Sequence, residues 1–76
     1  MKIEILGIGC PKCVKLGENA EQAVRETGLQ ADITRVKEIR EIIKRGVMIT
    51  PALVIDGVVK STGKLLGVEE IKALLK

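Results

Sequence analysis

The 76-residue sequence predicts an α/β fold whose elements follow in the order β-α-β-α-β-β-α. Three observations support this order. Apolar residues recur at every second position in the first two predicted strands and at every third or fourth position in the predicted helices. A strong hairpin signal, Asp56-Gly57, lies late in the chain, and the residues after it end in an amphipathic helical pattern. The sheet should therefore be mixed, with parallel strands at first and an antiparallel pair later.

The first strand and the first helix flank the two cysteines of the chain. Ile3 and Ile5 alternate with charged residues and predict a strand that ends at residues 7–9. Pro11 suits the first position of the following helix, and Gly28 suits the residue that ends it. The apolar residues of this helix recur at helical spacing: Cys13, Leu16, Ala20, Ala23 and Val24.

The middle of the chain predicts a second strand and a short second helix. Residues 31–36 alternate between apolar and polar side chains, as a strand with one buried face does. Residues 38–45 carry Ile39, Ile42 and Ile43 on one side of a helix, and Gly46 ends the pattern. A strand, a helix and a second parallel strand are expected to form a right-handed crossover unit.

The last third of the chain predicts a hairpin and a closing helix. Residues 52–55 are an unbroken apolar run, which is typical of a strand buried on both faces. Asp56-Gly57 suits a two-residue turn with positive φ and leads into an antiparallel strand at residues 58–61. Residues 62–64 break the pattern before a closing amphipathic helix, in which acidic residues come first and lysines last, as the helix dipole favours. Its apolar positions are Val68, Ile71, Leu74 and Leu75.

The composition limits the classes of function. The net charge is +3, with 13 basic and 10 acidic residues mixed along the chain, and there are no aromatic residues. No nucleic-acid partner is expected, since a clustered basic stripe and stacking aromatics are both missing. No secretory leader or membrane-spanning run is recognisable, so we expect no membrane partner and a cytoplasmic location. The whole chain, residues 1–76, is expected to form one domain.

The spacing of Cys10 and Cys13 allows them to form a disulfide. If Cys10 caps the first helix, Cys13 lies one turn later on the same side, where Cβ atoms are about 5–6 Å apart, close to disulfide distance. The free N–H groups at the start of the helix and the charge of Lys12 favour the thiolate of Cys10. Cys10 is therefore predicted to be the nucleophile, and Cys13 the resolving thiol.

Two cysteines separated by two residues are also compatible with other uses. A soft-metal carrier is the main alternative, since two thiolates suit Cu(I). A tetrahedral zinc site would need two more ligands, and the chain has no histidine. Small carriers of this size usually end on a strand, whereas this chain is predicted to end on a helix. Redox exchange without a cofactor is thus favoured over the metal carrier, over a non-catalytic redox-sensing module, and over two cysteines that only fill the core.

Four features of the chain together resemble the thioredoxin/glutaredoxin superfamily. They are the Cys10-Pro11-Lys12-Cys13 motif after the first strand, Thr50-Pro51 before the third, the Asp56-Gly57 hairpin and Gly63 before the last helix. The chain is most similar to small archaeal and bacterial thioredoxin-like redox-active disulfide proteins. This resemblance implies a minimal thioredoxin-like fold with a four-stranded sheet in the order second, first, third, fourth strand. The first and last helices would cover one face, and the middle helix the other.

The resemblance also implies a site and partners. The Thr50–Pro51 bond would be cis, Pro51 would lie against the disulfide, and the backbone of Thr50 would pair with an extended substrate segment. Pro11, Lys12 and Pro51 would support the cysteines. The substrate-binding residues would be Gly9, Ile49, Thr50 and Gly63. The implied activity is that of a protein disulfide oxidoreductase, whose partners are a disulfide-containing target protein and a reductase or low-molecular-weight thiol that donates electrons.

The chain departs from thioredoxin around the cysteines. Gly9 stands where thioredoxin has Trp, and Pro11-Lys12 resembles the glutaredoxin motif more closely. The first strand offers Glu4 as an acid, but the sequence does not fix the direction of its side chain.

Overall fold

The computed structural model describes residues 1–75 and contains seven elements in the predicted order. The strands are β1 (Lys2–Leu6), β2 (Asp32–Val36), β3 (Ala52–Ile55) and β4 (Val58–Thr62). The helices are α1 (Pro11–Thr27), α2 (Ile39–Lys44) and α3 (Val68–Leu74). The predicted fold class is confirmed. Within residues 1–75, no helix is both long enough and apolar enough to cross a membrane.

The four strands form one mixed sheet in the order β2-β1-β3-β4. Strand β1 runs parallel to β2 and antiparallel to β3, and β3 is antiparallel to β4. All four residues of β3 are buried, as the unbroken apolar run predicts. The order is the one that the resemblance implies, and it places the carboxyl end of β1 beside the amino end of β3.

The hairpin between β3 and β4 has the predicted turn. Both central residues have positive φ, 49° at Asp56 and 81° at Gly57, which is the conformation that a two-residue turn requires. The Asp56 carboxylate also accepts a hydrogen bond of 2.8 Å from the N–H of Lys2. This turn therefore lies at the opposite end of the sheet from the cysteines.

A hydrophobic core lies on each face of the sheet. Successive side chains of a strand point to opposite faces, so Ile3 and Ile5 of β1 face α1 and α3, whereas Leu6 faces α2. Lys72 of α3 and Glu26 of α1 form an ion pair of 3.1 Å at the edge of the first core. The first and last helices thus share one face, and the middle helix covers the other.

Helix α2 packs less completely than its pattern suggests. Its position is confirmed, but of its three isoleucines only Ile42 is buried, while Ile39 and Ile43 are 62% and 61% exposed. The helix has six residues, so it presents less than two turns to the sheet, and Val47 fills part of the second core instead. The two remaining isoleucines line a surface groove.

The acid of the first strand is buried on the α2 side of the sheet. Glu4 is 6% exposed and accepts a hydrogen bond of 3.0 Å from Nε of Arg45, the residue that ends α2. This bond to Glu4 raises the pKa of Arg45, and a second bond to Glu41 acts in the same direction. The pair ties the end of α2 to the middle of the sheet, and the side chain of Glu4 points away from the face that α1 covers.

Candidate active site

The amino end of α1 is built around Cys10. Cys10 caps the helix with an extended backbone, and Pro11 occupies the first helical position, where its missing N–H costs nothing. The N–H of Cys13 donates to Sγ of Cys10 at 3.3 Å, and the N–H of Val14 donates to the carbonyl of Cys10 at 3.0 Å. The first turn contains no acidic residue. This environment favours negative charge on the Cys10 sulfur.

Cys10 and Cys13 are joined in a disulfide, with their Cα atoms 5.1 Å apart. The two sulfurs differ in their surroundings. Cys13 is 5% exposed and lies on the buried face of α1 with Leu16 and Ala20, whereas Cys10 is partly exposed. Only one of the two cysteines is therefore accessible to a large partner.

Gly7 makes the close approach of Cys13 to the sheet possible. A Cβ placed on Gly7 would lie 2.8 Å from Cβ of Cys13 and would overlap its sulfur. Separations under 3.0 Å are essentially never found for real Cβ atoms. The glycine that follows β1 is thus required for the fit of the buried cysteine rather than for a turn.

The Thr50–Pro51 peptide bond is cis. Pro51 is fully buried, and its carbonyl accepts a hydrogen bond of 2.8 Å from the N–H of Gly63. Leu6 is the last residue of β1 and pairs with Ala52, the first residue of β3. Gly7, which follows β1, and Pro51, which precedes β3, therefore lie at the same end of the sheet, where Gly7 contacts Cys13.

The other site residues predicted from the sequence lie near this end of the sheet. Gly9 lines a small cavity together with Cys13. Ile49 is 63% exposed and lies directly against Gly63, where a Cβ would approach its Cγ2 to 2.7 Å. Thr50 lines a shallow groove with Ile8. Lys12 is exposed on the first turn of α1.

Part of this surface was not predicted from the sequence. The groove that contains Ile8 and Thr50 continues along Ile39, Ile43 and Met48, and Met48 is 93% exposed. Isoleucines at helical spacing are most often core residues, so the pattern gave no sign that two of them would be exposed. These five residues line a largely apolar groove that includes Thr50, the residue before Pro51.

Two cations near Cys13 were also missed. Arg35 and Lys37 line the same cavity as Cys13, although they lie more than 20 residues away along the chain. Gly17, an isolated glycine in the middle of α1, was the available signal, because such a glycine often has a packing reason. Here that reason is Arg35, whose guanidinium lies across Gly17.

A metal centre is not favoured by these surroundings. Within residues 1–75, no three or more His, Cys, Asp or Glu side chains come together in a group that could hold a metal ion. The charged side chains that line the cavity at Cys13, Arg35 and Lys37, are cations, and they disfavour a bound cation electrostatically. The soft-metal carrier is therefore not supported.

Comparisons with known proteins agree with this geometry. The family model described as "Thioredoxin domain" matches residues 1–76. A protein named "Thioredoxin" from Methanothermobacter thermautotrophicus is 41% identical over 99% of this chain and 97% of its own. Another of the same name, from Methanocaldococcus jannaschii, is 45% identical over 97% of this chain and 85% of its own. The chain therefore belongs to the thioredoxin domain family and is a thiol–disulfide oxidoreductase.

Proposed function

We propose that Cys10 is the attacking thiol and Cys13 the resolving thiol of this oxidoreductase. The single observation that carries this assignment is the difference in exposure between the two sulfurs, with Cys10 partly exposed and Cys13 5% exposed. The attacking sulfur must reach a disulfide on another protein, whereas the resolving sulfur needs to reach only its neighbour. The N–H of Cys13 and the exposed Lys12 further support negative charge on Cys10.

The reaction is a pair of thiol–disulfide exchanges. The Cys10 thiolate attacks one sulfur of the target disulfide, forms a mixed disulfide and displaces the other target sulfur as a thiolate. Cys13, once deprotonated, attacks Cys10 Sγ and releases the second target sulfur. The target gains two electrons and two protons, and the protein is left with the Cys10–Cys13 disulfide. A reductase or a low-molecular-weight thiol then reduces it.

The proposed docking surface is the rim of the disulfide. Gly9, Ile49, Thr50 and Gly63 would form this rim, and the exposed apolar side chain of Ile49 supports a role in contact with a partner. An extended target segment would pair with the backbone of Thr50, next to the buried Pro51. The apolar groove adjoins this surface at Thr50. Exposed apolar patches of this kind often mark interaction sites.

We further propose that the protein acts in the cytoplasm and that residues 1–76 form one domain. Cysteines that cycle between thiol and disulfide suit a reducing compartment, in which permanent bridges are rare. The family match over residues 1–76 supports treating the chain as one functional unit. Partners are then intracellular proteins whose disulfides form transiently.

The assignment of the two thiols is tested by single serine variants. Cys13→Ser should accumulate a mixed disulfide with a model protein disulfide, because the second exchange is blocked. Cys10→Ser should form no such adduct, because the remaining thiol is buried. Mass spectrometry of the acid-quenched mixture distinguishes the two outcomes. Adducts on Cys10→Ser but not on Cys13→Ser would reverse the roles.

A further inference from the structure

A small cavity lies against Cys13, between α1 and the sheet. Its volume is about 30 Å³, which exceeds the roughly 10–15 Å³ needed for one water molecule. Apart from the cysteine, the polar side chains in its lining belong to Arg35 and Lys37. Its lining is more apolar than polar, but Arg35 and Lys37 can give a water molecule polar partners beside the buried thiol.

The position of Arg35 is fixed by three contacts. Arg35 pairs with Ile5 in the sheet, so its side chain points to the face that α1 covers. The guanidinium lies across Gly17, where a Cβ would approach its Nε to 2.9 Å, and Nη2 bonds Glu21 at 3.0 Å. Gly17 lies one helical turn after Cys13 on the same side of α1. The missing side chain at Gly17 thus lets a cation lie one turn from the buried sulfur.

Among the side chains of residues 1–75, no carboxylate lines this cavity. On α1 itself, Lys12 and Lys15 are exposed, and on β1 Glu4 faces the opposite side of the sheet. Glu21 is bonded to Arg35, and the loop at residues 46–51 contains no charged residue. The charged side chains in the lining are thus Arg35, which is paired with Glu21, and Lys37. Within residues 1–75, the lining holds no side-chain base for the proton of Cys13.

We propose that water in this cavity takes the proton of Cys13, and that Arg35 promotes the step by stabilising the resulting thiolate. The inference rests on the proposed function, in which Cys13 resolves the mixed disulfide. The S–H bond breaks, the proton passes to water, and the sulfur electron pair forms the bond to Cys10 Sγ. The bond from Cys10 to the target sulfur breaks, and the departing target thiolate takes a proton from solvent. Arg35 is a positioning residue in this step.

Thiolate titration of Cys13 tests the proposal. In a Cys10→Ser background, the ultraviolet absorbance of the Cys13 thiolate is measured as a function of pH. Arg35→Met should raise the midpoint by about 0.5–1 pH unit, a modest shift because the guanidinium is partly exposed and water screens its field. Arg35→Lys keeps the positive charge, so its midpoint should return most of the way to that of the protein with Arg35. Arg25→Met, which removes an exposed cation far along α1, is the matched control and should leave the midpoint unchanged.

Gly17→Ala is a second variant, in which Arg35 keeps its charge but the added methyl group displaces the guanidinium from α1. We expect its midpoint to rise in the same direction as that of Arg35→Met, and this variant carries the test if Arg35→Met does not fold. Equal midpoints for Arg35→Met and Arg25→Met, or no recovery in Arg35→Lys, would overturn the proposal. The titration requires no target protein, so its failure is distinguishable from failure of the trapping experiment with Cys13→Ser.

Discussion

Gly7 lies so close to Cys13 that a single added methyl group would come within 2.8 Å of the cysteine Cβ. The buried thiol is therefore seated by a contact between the end of β1 and the first turn of α1. Both Cβ positions are fixed by the backbone, so rotation of a side chain cannot relieve this contact. The geometry of the resolving cysteine thus depends on a residue with no side chain.

Gly7→Ala should destabilise the protein. Overpacking of a filled core costs about 1–3 kcal/mol, and the free energy of unfolding in urea measures that loss. Gly17→Ala is the matched control, because its added methyl meets the flexible end of Arg35 and alanine is favoured over glycine in a helix by about 0.5–1 kcal/mol. Equal stability of the two variants would contradict the account of Gly7.

The pair of the buried Glu4 and the partly exposed Arg45 should be sensitive to the loss of one partner. Arg45→Met leaves the Glu4 carboxylate buried without its counter-ion, so this variant should unfold at a lower temperature or urea concentration than the native protein. Thermal or urea unfolding measures this loss. The double variant Glu4→Met with Arg45→Met removes the uncompensated charge, so it should recover much of the stability. A double variant as unstable as Arg45→Met would show that the charge is not the cause.

The ion pair between Glu26 and Lys72 should link the packing of α1 and α3 to pH. Hydrogen bonds from Gln22 and Lys72 lower the pKa of Glu26 below its ordinary value of 4.5, and the bond to Glu26 raises that of Lys72 above 10.5. The contribution of Glu26 to the free energy of unfolding is thus present above about pH 4.5 and is lost as the pH falls through its lowered pKa. The contribution of Lys72 is present below about pH 10.5 and is lost above its raised pKa.

Lys72→Met should therefore weaken the dependence of stability on pH. The urea midpoint of the native protein should fall more steeply on acidification below pH 4.5 than that of the variant. Lys60→Met, which removes an exposed lysine of β4, should retain the native slope. Parallel acid limbs for the native protein and Lys72→Met would show that the pair does not couple the helices to pH.

The exposed apolar surface beside the disulfide should matter for protein substrates only. Ile49→Glu should lower kcat/KM for a protein disulfide roughly tenfold, within the range of central interface residues, because it places a charge at the docking rim. Turnover of a small aromatic disulfide should change much less. Val58→Glu, at an equally exposed position near the hairpin turn, should leave both activities near native. Equal losses on both substrates would argue against docking at Ile49.

Local signals in the sequence predicted most elements of the fold. Pro11 and Gly28 marked the ends of α1, and both lie where expected, with Gly28 at φ 71°. Asp56-Gly57 specified its turn because few residues tolerate positive φ. The strand order, in contrast, came from the resemblance, since alternation along a strand does not identify its neighbours.

Contacts between distant residues were beyond the sequence. The direction of Glu4 depends on Arg45, which is 41 positions away, and a strand pattern does not specify which face receives an acid with a remote partner. The exposure of Ile39 and Ile43 likewise follows from the short length of α2, not from their spacing. The cavity at Cys13 depends on a fit between Gly17 and Arg35 that appears only once α1 packs on the sheet.

The central claim is that Cys10 and Cys13 form a reversible two-electron couple. Its most direct test is an equilibrium redox titration of the purified protein, with metal content measured on the same sample. We predict a single two-electron transition between about −270 and −120 mV, the range of protein dithiol oxidoreductases, in metal-free protein. The absence of a two-electron transition, or stoichiometric copper that blocks oxidation of the thiols, would contradict it.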